Sequence, residues 1–127
     1  MNQLPPTIVV VEDDADTLTF LEEFFPMLGM QVVGCRSALD AVACIIEHRP
    51  RVVILDVQID SMTGVEVLHH LRADPTTQTI PVIFFTGSGD LLRQLLPDYA
   101  SHQAYLVVKP DVQQLSVLVH HLVPSMT

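Results

Sequence analysis

Five short apolar runs, rich in β-branched residues and spread evenly along the chain, constrain the fold of this sequence more than any other feature. They are Thr7 to Val11, Val32 to Cys35, Val52 to Leu55, Val82 to Phe85 and Tyr105 to Val108. Each is nearly continuous rather than alternating, the pattern of strands covered on both faces. The segments between them carry helical spacing: Leu18, Leu21, Phe25 and Leu28, then Leu39, Val42, Ala43 and Ile46, then Val65, Leu68 and Leu71, and last Val112, Leu115, Leu118, Val119 and Leu122. Strand and helix alternate, which predicts a doubly wound parallel α/β sheet of five strands with five helices on its two faces. Gly29, Pro50, Pro75, Pro81 and Pro110 fall between elements, where turns and helix limits belong. Pro26 is expected to shorten or kink the first helix, because it cannot donate to the carbonyl four residues back. Pro97 does the same to the fourth, leaving Asp90 to Leu96 as a turn or two. The 127 residues hold no internal repeat, low-complexity tract or linker, so one domain is expected over 1–127.

Charge narrows the function. Fifteen acidic residues against 6 basic give a formal net charge of -9. Such a surface repels phosphate backbones and anionic lipids, so neither direct nucleic-acid binding nor a membrane role is expected. No apolar run approaches the roughly 18–20 residues needed to span a bilayer, and the start lacks a secretory signal. A cytoplasmic location follows as the expectation. Cys35 and Cys44 are too few for a disulfide scaffold and are expected to be buried as small hydrophobes.

In an open parallel sheet, ligands bind at the carboxyl ends of the strands, where strand order reverses. After the first strand come Glu12, Asp13 and Asp14, with Asp16 close behind; after the third comes Asp56; the fourth ends at Thr86 and the fifth at Lys109, the only lysine. Asp14 or Asp16 suits a helix cap. Asp56 does not, because it ends a run as apolar as Val52-Val53-Ile54-Leu55, where an unpaired carboxylate would cost several kcal/mol. Glu12, Asp13 and Asp56 at one sheet edge repel one another unless positive charge sits among them. Mg²⁺ held by oxygen ligands and waters answers this, and Lys109 supplies a second positive charge.

The residues around these positions resemble those of a known family. Val9-Val10-Val11-Glu12-Asp13-Asp14, Val53-Ile54-Leu55-Asp56, Gly64-Val65-Glu66-Val67-Leu68, Leu71-Arg72-Ala73-Asp74-Pro75, Ile80-Pro81-Val82-Ile83, Phe85-Thr86-Gly87 and Val108-Lys109-Pro110 occur in order over nearly the whole chain. Together they are similar to the receiver domains of two-component response regulators, in particular the single-domain chemotaxis type. The resemblance implies a flavodoxin-like sheet of order 2-1-3-4-5. It also implies that Asp56 accepts a phosphoryl group from a phosphohistidine on a sensor histidine kinase or a histidine phosphotransfer protein. Asp13 would bind Mg²⁺ directly, Glu12 through water, and Asp56 and the backbone carbonyl of Gln58 would complete the protein ligands. Lys109 would pair with one phosphoryl oxygen and the Thr86 hydroxyl with another. Gln58 and Ser88 stand where the family controls the access of hydrolytic water. A downstream target would bind the face made by the fourth helix, fifth strand and fifth helix. On this reading the chain is a regulatory domain rather than an enzyme, although it assists its own phosphoryl transfer and slow dephosphorylation.

Three departures stand out from the family pattern. Asp60 lies where the family usually has proline, and Thr63 where it often has aspartate. Asp60 adds negative charge near the site, while Thr63 still suits a cap for the third helix. The family's aromatic switch position, three before the lysine, holds Leu106, with Tyr105 one further back. Thr86 and Lys109 are also one residue further apart than is usual, and the fourth helix is cut by Pro97. These features put Tyr105 out of register, so the signal is expected to pass through Gly87 to Gly89 instead. Two other functions compete with this one. A receiver-like scaffold that is never phosphorylated is opposed by Glu12, Asp13, Asp56, Thr86 and Lys109 together. An aspartyl-phosphate hydrolase of the haloacid dehalogenase type needs an aspartate where Gln58 stands, and a cap domain for which the chain has no room. His69-His70 and His120-His121 point about 100 degrees apart on a helix, so neither pair converges on one metal.

Overall fold

The computed structural model describes residues 4–123. In chain order its strands are β1 (Thr7–Val11), β2 (Gln31–Cys35), β3 (Val52–Leu55), β4 (Gln58–Ile59), β5 (Met62–Thr63), β6 (Val82–Thr86) and β7 (Ala104–Val108). Five of them form one parallel sheet in the order β2-β1-β3-β6-β7. That is the expected 2-1-3-4-5 order once the separate antiparallel β4–β5 hairpin is set aside. The hairpin lies in what the sequence presents as a loop.

Five helices flank the sheet: α1 (Ala15–Phe24), α2 (Ala38–His48), α3 (Gly64–Ala73), α4 (Gly89–Leu95) and α5 (Val112–Leu122). The starts of all but α4 are set by side chains that accept otherwise unpartnered N–H groups. Asp14 accepts from Thr17, Ser37 from Leu39, Thr63 from Glu66 and Asp111 from Gln114, at 3.0–3.2 Å. Pro26 ends α1 as expected, opening a 3-10 turn over Pro26–Leu28 that closes on Gly29 at φ 85. Pro97 stops α4 after two turns, and a 3-10 helix over Tyr99–His102 carries the chain to β7.

The sheet divides the apolar interior in two. On one side, Val9, Val11, Val53, Leu55 and Phe84 pack with Ala41 and Ile45 of α2, Leu68 and Leu71 of α3, and Leu92 of α4. On the other, Ile8, Val10, Ile54, Ile83 and Phe85 pack with Leu18 and Leu21 of α1 and Leu115 and Val119 of α5. Strand alternation assigns each residue to one side, so Leu106 joins the first core and Tyr105 the second.

Two readings of the sequence need correction. The buried stripe of α2 is Ala38, Ala41 and Ile45, whereas Leu39 is 73% exposed. Asp40 and Glu47 occupy the exposed side opposite that stripe, and Leu39 lies at the margin between the two. Cys35 is buried, but Cys44 is only partly so, beside His48 on the outer part of α2. No helix among the described residues is long and apolar enough to cross a membrane.

Candidate functional site

The carboxyl edge of the sheet gathers four strand ends. The Glu12 N–H donates to the Cys35 carbonyl at 2.9 Å, and the Lys109 N–H to the Thr86 carbonyl at 2.9 Å, so both residues extend the ladder past the strands that precede them. Asp56 follows β3 directly, between them.

The Lys109 ammonium bridges two carboxylates. Its Nζ lies 2.6 Å from Glu12 Oε1 and 2.8 Å from Asp56 Oδ2. The Glu12 side chain is 4% exposed and that of Asp56 14%. Charge-assisted bonds of this length are the strong kind, and they are needed where water is largely excluded. Burial raises the Glu12 pKa above the ordinary carboxylate value, outweighing its bonds to Lys109 and to the Asp14 N–H. Burial would lower the Lys109 pKa, but its bonds to Asp56 and Glu12 more than offset this, and the ammonium is held above the usual lysine range. Lys109 therefore places one positive charge within the acidic cluster.

The second oxygen of each carboxylate also accepts from the backbone. Glu12 Oε2 accepts from the Asp14 N–H at 3.1 Å. Asp56 Oδ1 accepts from the Val57 N–H at 2.7 Å and the Gln58 N–H at 3.4 Å. Asp13 stands apart from the trio, with Oδ2 accepting from the Asp60 N–H at 3.1 Å. Among the described residues no three His, Cys, Asp or Glu side chains are gathered closely enough to hold a metal by themselves.

Thr86 is fully buried, and its hydroxyl oxygen accepts from the Ser88 N–H at 2.9 Å. The Ser88 hydroxyl donates in turn to Gln58 Oε1 at 3.4 Å, linking the two sides of the site mouth. A cleft of about 530 Å³ opens there, lined by Gln58, Gly87, Ser88, Leu91 and Val108 among others. Tyr105 belongs to the opposite face of the sheet from Thr86, whereas Leu106 shares the Thr86 face.

Two contributors escape the sequence reading. A Cβ at Gly64 would press into the Asp56 carbonyl oxygen and Leu55 Cδ1, and lie 3.0 Å from Phe84. Glycine at the start of α3 thus lets the helix sit against the backbone of Asp56, with the Gly64 N–H donating to the Val57 carbonyl at 2.6 Å. A glycine directly after a helix-capping threonine is the signal that could have shown it. The other is the Asp60 N–H, whose partner Asp13 is far away in sequence.

Comparison with known proteins agrees with this fold. The family model for the response regulator receiver domain matches residues 8–119. The polar-differentiation response regulator DivK of Brucella anthropi is 29% identical over 96 residues, which are 72% of this chain and 78% of that protein. In fold, the chain is similar to the chemotaxis response regulator CheY4 of Vibrio cholerae, with a TM-score of 0.82 at 19% identity over 94% of this chain and 99% of that one. It is also similar to the receiver domain of the sensor histidine kinase PA1611 from Pseudomonas aeruginosa, whose structure has a magnesium ion in the active-site cleft. There the TM-score is 0.83 at 20% identity, over 95% of this chain and 99% of that one.

Proposed function

This chain belongs to the response regulator receiver domain family of two-component signalling, and from that premise we propose that it is a phosphorylation-operated switch with Asp56 as phosphoryl acceptor. The donor is the phosphohistidine of a sensor histidine kinase or a histidine phosphotransfer protein, and the switch works in the cytoplasm as a regulatory domain spanning 1–127. The single observation that carries this reading is the Lys109 ammonium held between Glu12 and Asp56.

The donor set fits Mg²⁺. Asp13 and Asp56 offer hard carboxylate oxygens, and Mg²⁺ is usually bound through one or two carboxylates, with waters and phosphate oxygens completing the shell. Asp13, Asp56 and the Gln58 carbonyl would hold it, and Glu12, whose two oxygens both have N–H donors, would reach it through water. Bound there, the ion supplies neutralisation of charge as a carboxylate meets an anionic phosphoryl group.

The protein's own part is positioning. An Asp56 oxygen attacks phosphorus, the P–N bond to imidazole breaks, and the imidazole nitrogen keeps its electron pair. Lys109 exchanges Asp56 Oδ2 for a phosphoryl oxygen while Glu12 keeps it at the site. Because the Thr86 oxygen accepts from the Ser88 N–H, its own proton is available to a phosphoryl oxygen. Movement of Thr86 toward phosphate pulls on Ser88, and so on Gly87 to Gly89 and α4. The Gln58–Ser88 bridge across the mouth restricts hydrolytic water, so the acyl phosphate decays slowly. Output passes to a protein target on the face of α4, β7 and α5, where Leu95, Val108 and Val117 are exposed.

Incubation with Mg²⁺ and a small phosphodonor, followed by intact-mass measurement, tests the proposal. One phosphoryl group should be gained by the wild type and none by Asp56→Ala. A gain that persists in Asp56→Ala, or that needs no divalent ion, overturns it.

A further inference from the structure

The hairpin that follows Asp56 places a backbone donor on the acid next to it. Gln58 pairs with Thr63 and Ile59 with Met62, leaving Asp60 and Ser61 as a two-residue connection. Tight connections of this kind favour a positive φ at their first residue, and Asp60 has φ 40. Aspartate tolerates that conformation at modest cost, whereas proline is confined to negative φ and has no N–H. Both flanks of the hairpin are anchored. Val57 and Ile59 are fully buried, and the Gly64 N–H holds the Val57 carbonyl. The Asp60 N–H is therefore aimed by packed backbone rather than by a mobile side chain, and it meets Asp13 Oδ2 at 3.1 Å. Among the described residues no hydrogen bond reaches Asp13 Oδ1.

We propose that Asp60 is a positioning residue, whose backbone N–H fixes the Asp13 carboxylate by one oxygen and leaves the other for the cation. The inference rests on the reading of Asp13 as a Mg²⁺ ligand. It gives the departure from the family's usual proline a use: this chain orients its acid with a main-chain donor that proline lacks. The Asp60 side-chain charge is incidental to that role. Groups that orient a metal ligand typically change metal affinity by 10–100-fold when lost.

Mg²⁺ titrations of the full chain, followed by ¹H–¹⁵N NMR, separate the N–H from the charge. Asp60→Asn and Asp60→Gly remove the charge but keep the N–H and tolerate positive φ. Asp60→Pro removes the charge, the N–H and the positive φ together. The dissociation constants of the first two should agree with each other, and that of Asp60→Pro should be about tenfold weaker. Equal affinity in Asp60→Pro and Asp60→Asn overturns the inference. A second measurement needs neither the proline variant nor the ion: exchange protection of the residue 60 amide should fall in Asp13→Ala. An amide equally protected in both proteins overturns the inference even if Asp60→Pro does not fold. Failure of the wild type to bind Mg²⁺ saturably instead overturns the reading of Asp13 as a metal ligand, while the amide measurement still judges the hydrogen bond.

Discussion

Lys109 determines the electrostatics of the site, and removing it isolates a buried acid. In Lys109→Met, Glu12 is left nearly enclosed with only the Asp14 N–H as donor. Breaking a fully buried pair costs about 3–5 kcal/mol, and Lys109 is partly exposed, so about 2–3 kcal/mol is expected at neutral pH by urea unfolding. The loss should shrink as pH falls through the Glu12 pKa, which burial already holds above the usual value, because protonation removes the stranded charge. The alkaline limb has a definite sign too. The folded pKa of Lys109 lies above its ordinary 10.5, so its stabilisation is complete below that pH and is lost as pH rises through the folded value. The wild-type melting temperature should fall there, and the corresponding part of the slope should vanish in Lys109→Met. Glu12, Asp56 and Lys109 were legible because each terminates a strand. The Asp13–Asp60 bond was not, since a main-chain donor leaves no trace in residue type.

Gly64 is decisive among the elements, because α3 rests on the backbone of the proposed acceptor. A methyl group there must displace either the Asp56 carbonyl or the helix, and overpacking of this kind costs about 1–3 kcal/mol. Gly64→Ala should slow phosphorylation more than that loss explains, measured at a temperature where the variant remains folded. Switching is also decided at this scale. Leu106 sits on the Thr86 face, and a Cβ at Gly89 would lie 3.4 Å from Leu106 Cδ2, so leucine already packs against the start of α4. A side chain that packs alike in both states contributes little coupling. With beryllofluoride as phosphate mimic, NMR shifts should concentrate in residues 87–96 and leave the Tyr105 ring in place; a large inward rotation of Tyr105 with a quiet 87–96 segment contradicts this. The five long strands and the limits set by Pro26 and Pro97 could be read from the sequence. The β4–β5 hairpin could not, because two-residue strands carry no periodicity. Nor could the limits of the buried face of α2, because Leu39, Ala43 and Ile46 extend its apolar surface beyond the buried stripe of Ala38, Ala41 and Ile45.

For the molecule as a whole, the acidic edge brings Glu12, Asp13 and Asp56 together, and on the proposed function Mg²⁺ relieves the repulsion among them. Saturating Mg²⁺ should raise the melting temperature of the wild type by several degrees, as expected of a ligand that binds only the folded state. The rise should shrink sharply in Asp13→Ala. A rise of the same size in both proteins would mean that the ion binds elsewhere. Architecture was legible at this scale because buried strands and amphipathic helices alternate without a break. The division of the core by the sheet also governs how the chain can be redesigned. Each strand side chain answers to one interior only, so substitutions on opposite sides share no packing partner and their stability effects should add within a few tenths of a kcal/mol. A library at Leu68 and Leu92 and another at Leu115 and Val119 could then be screened separately and their winners joined without a second search.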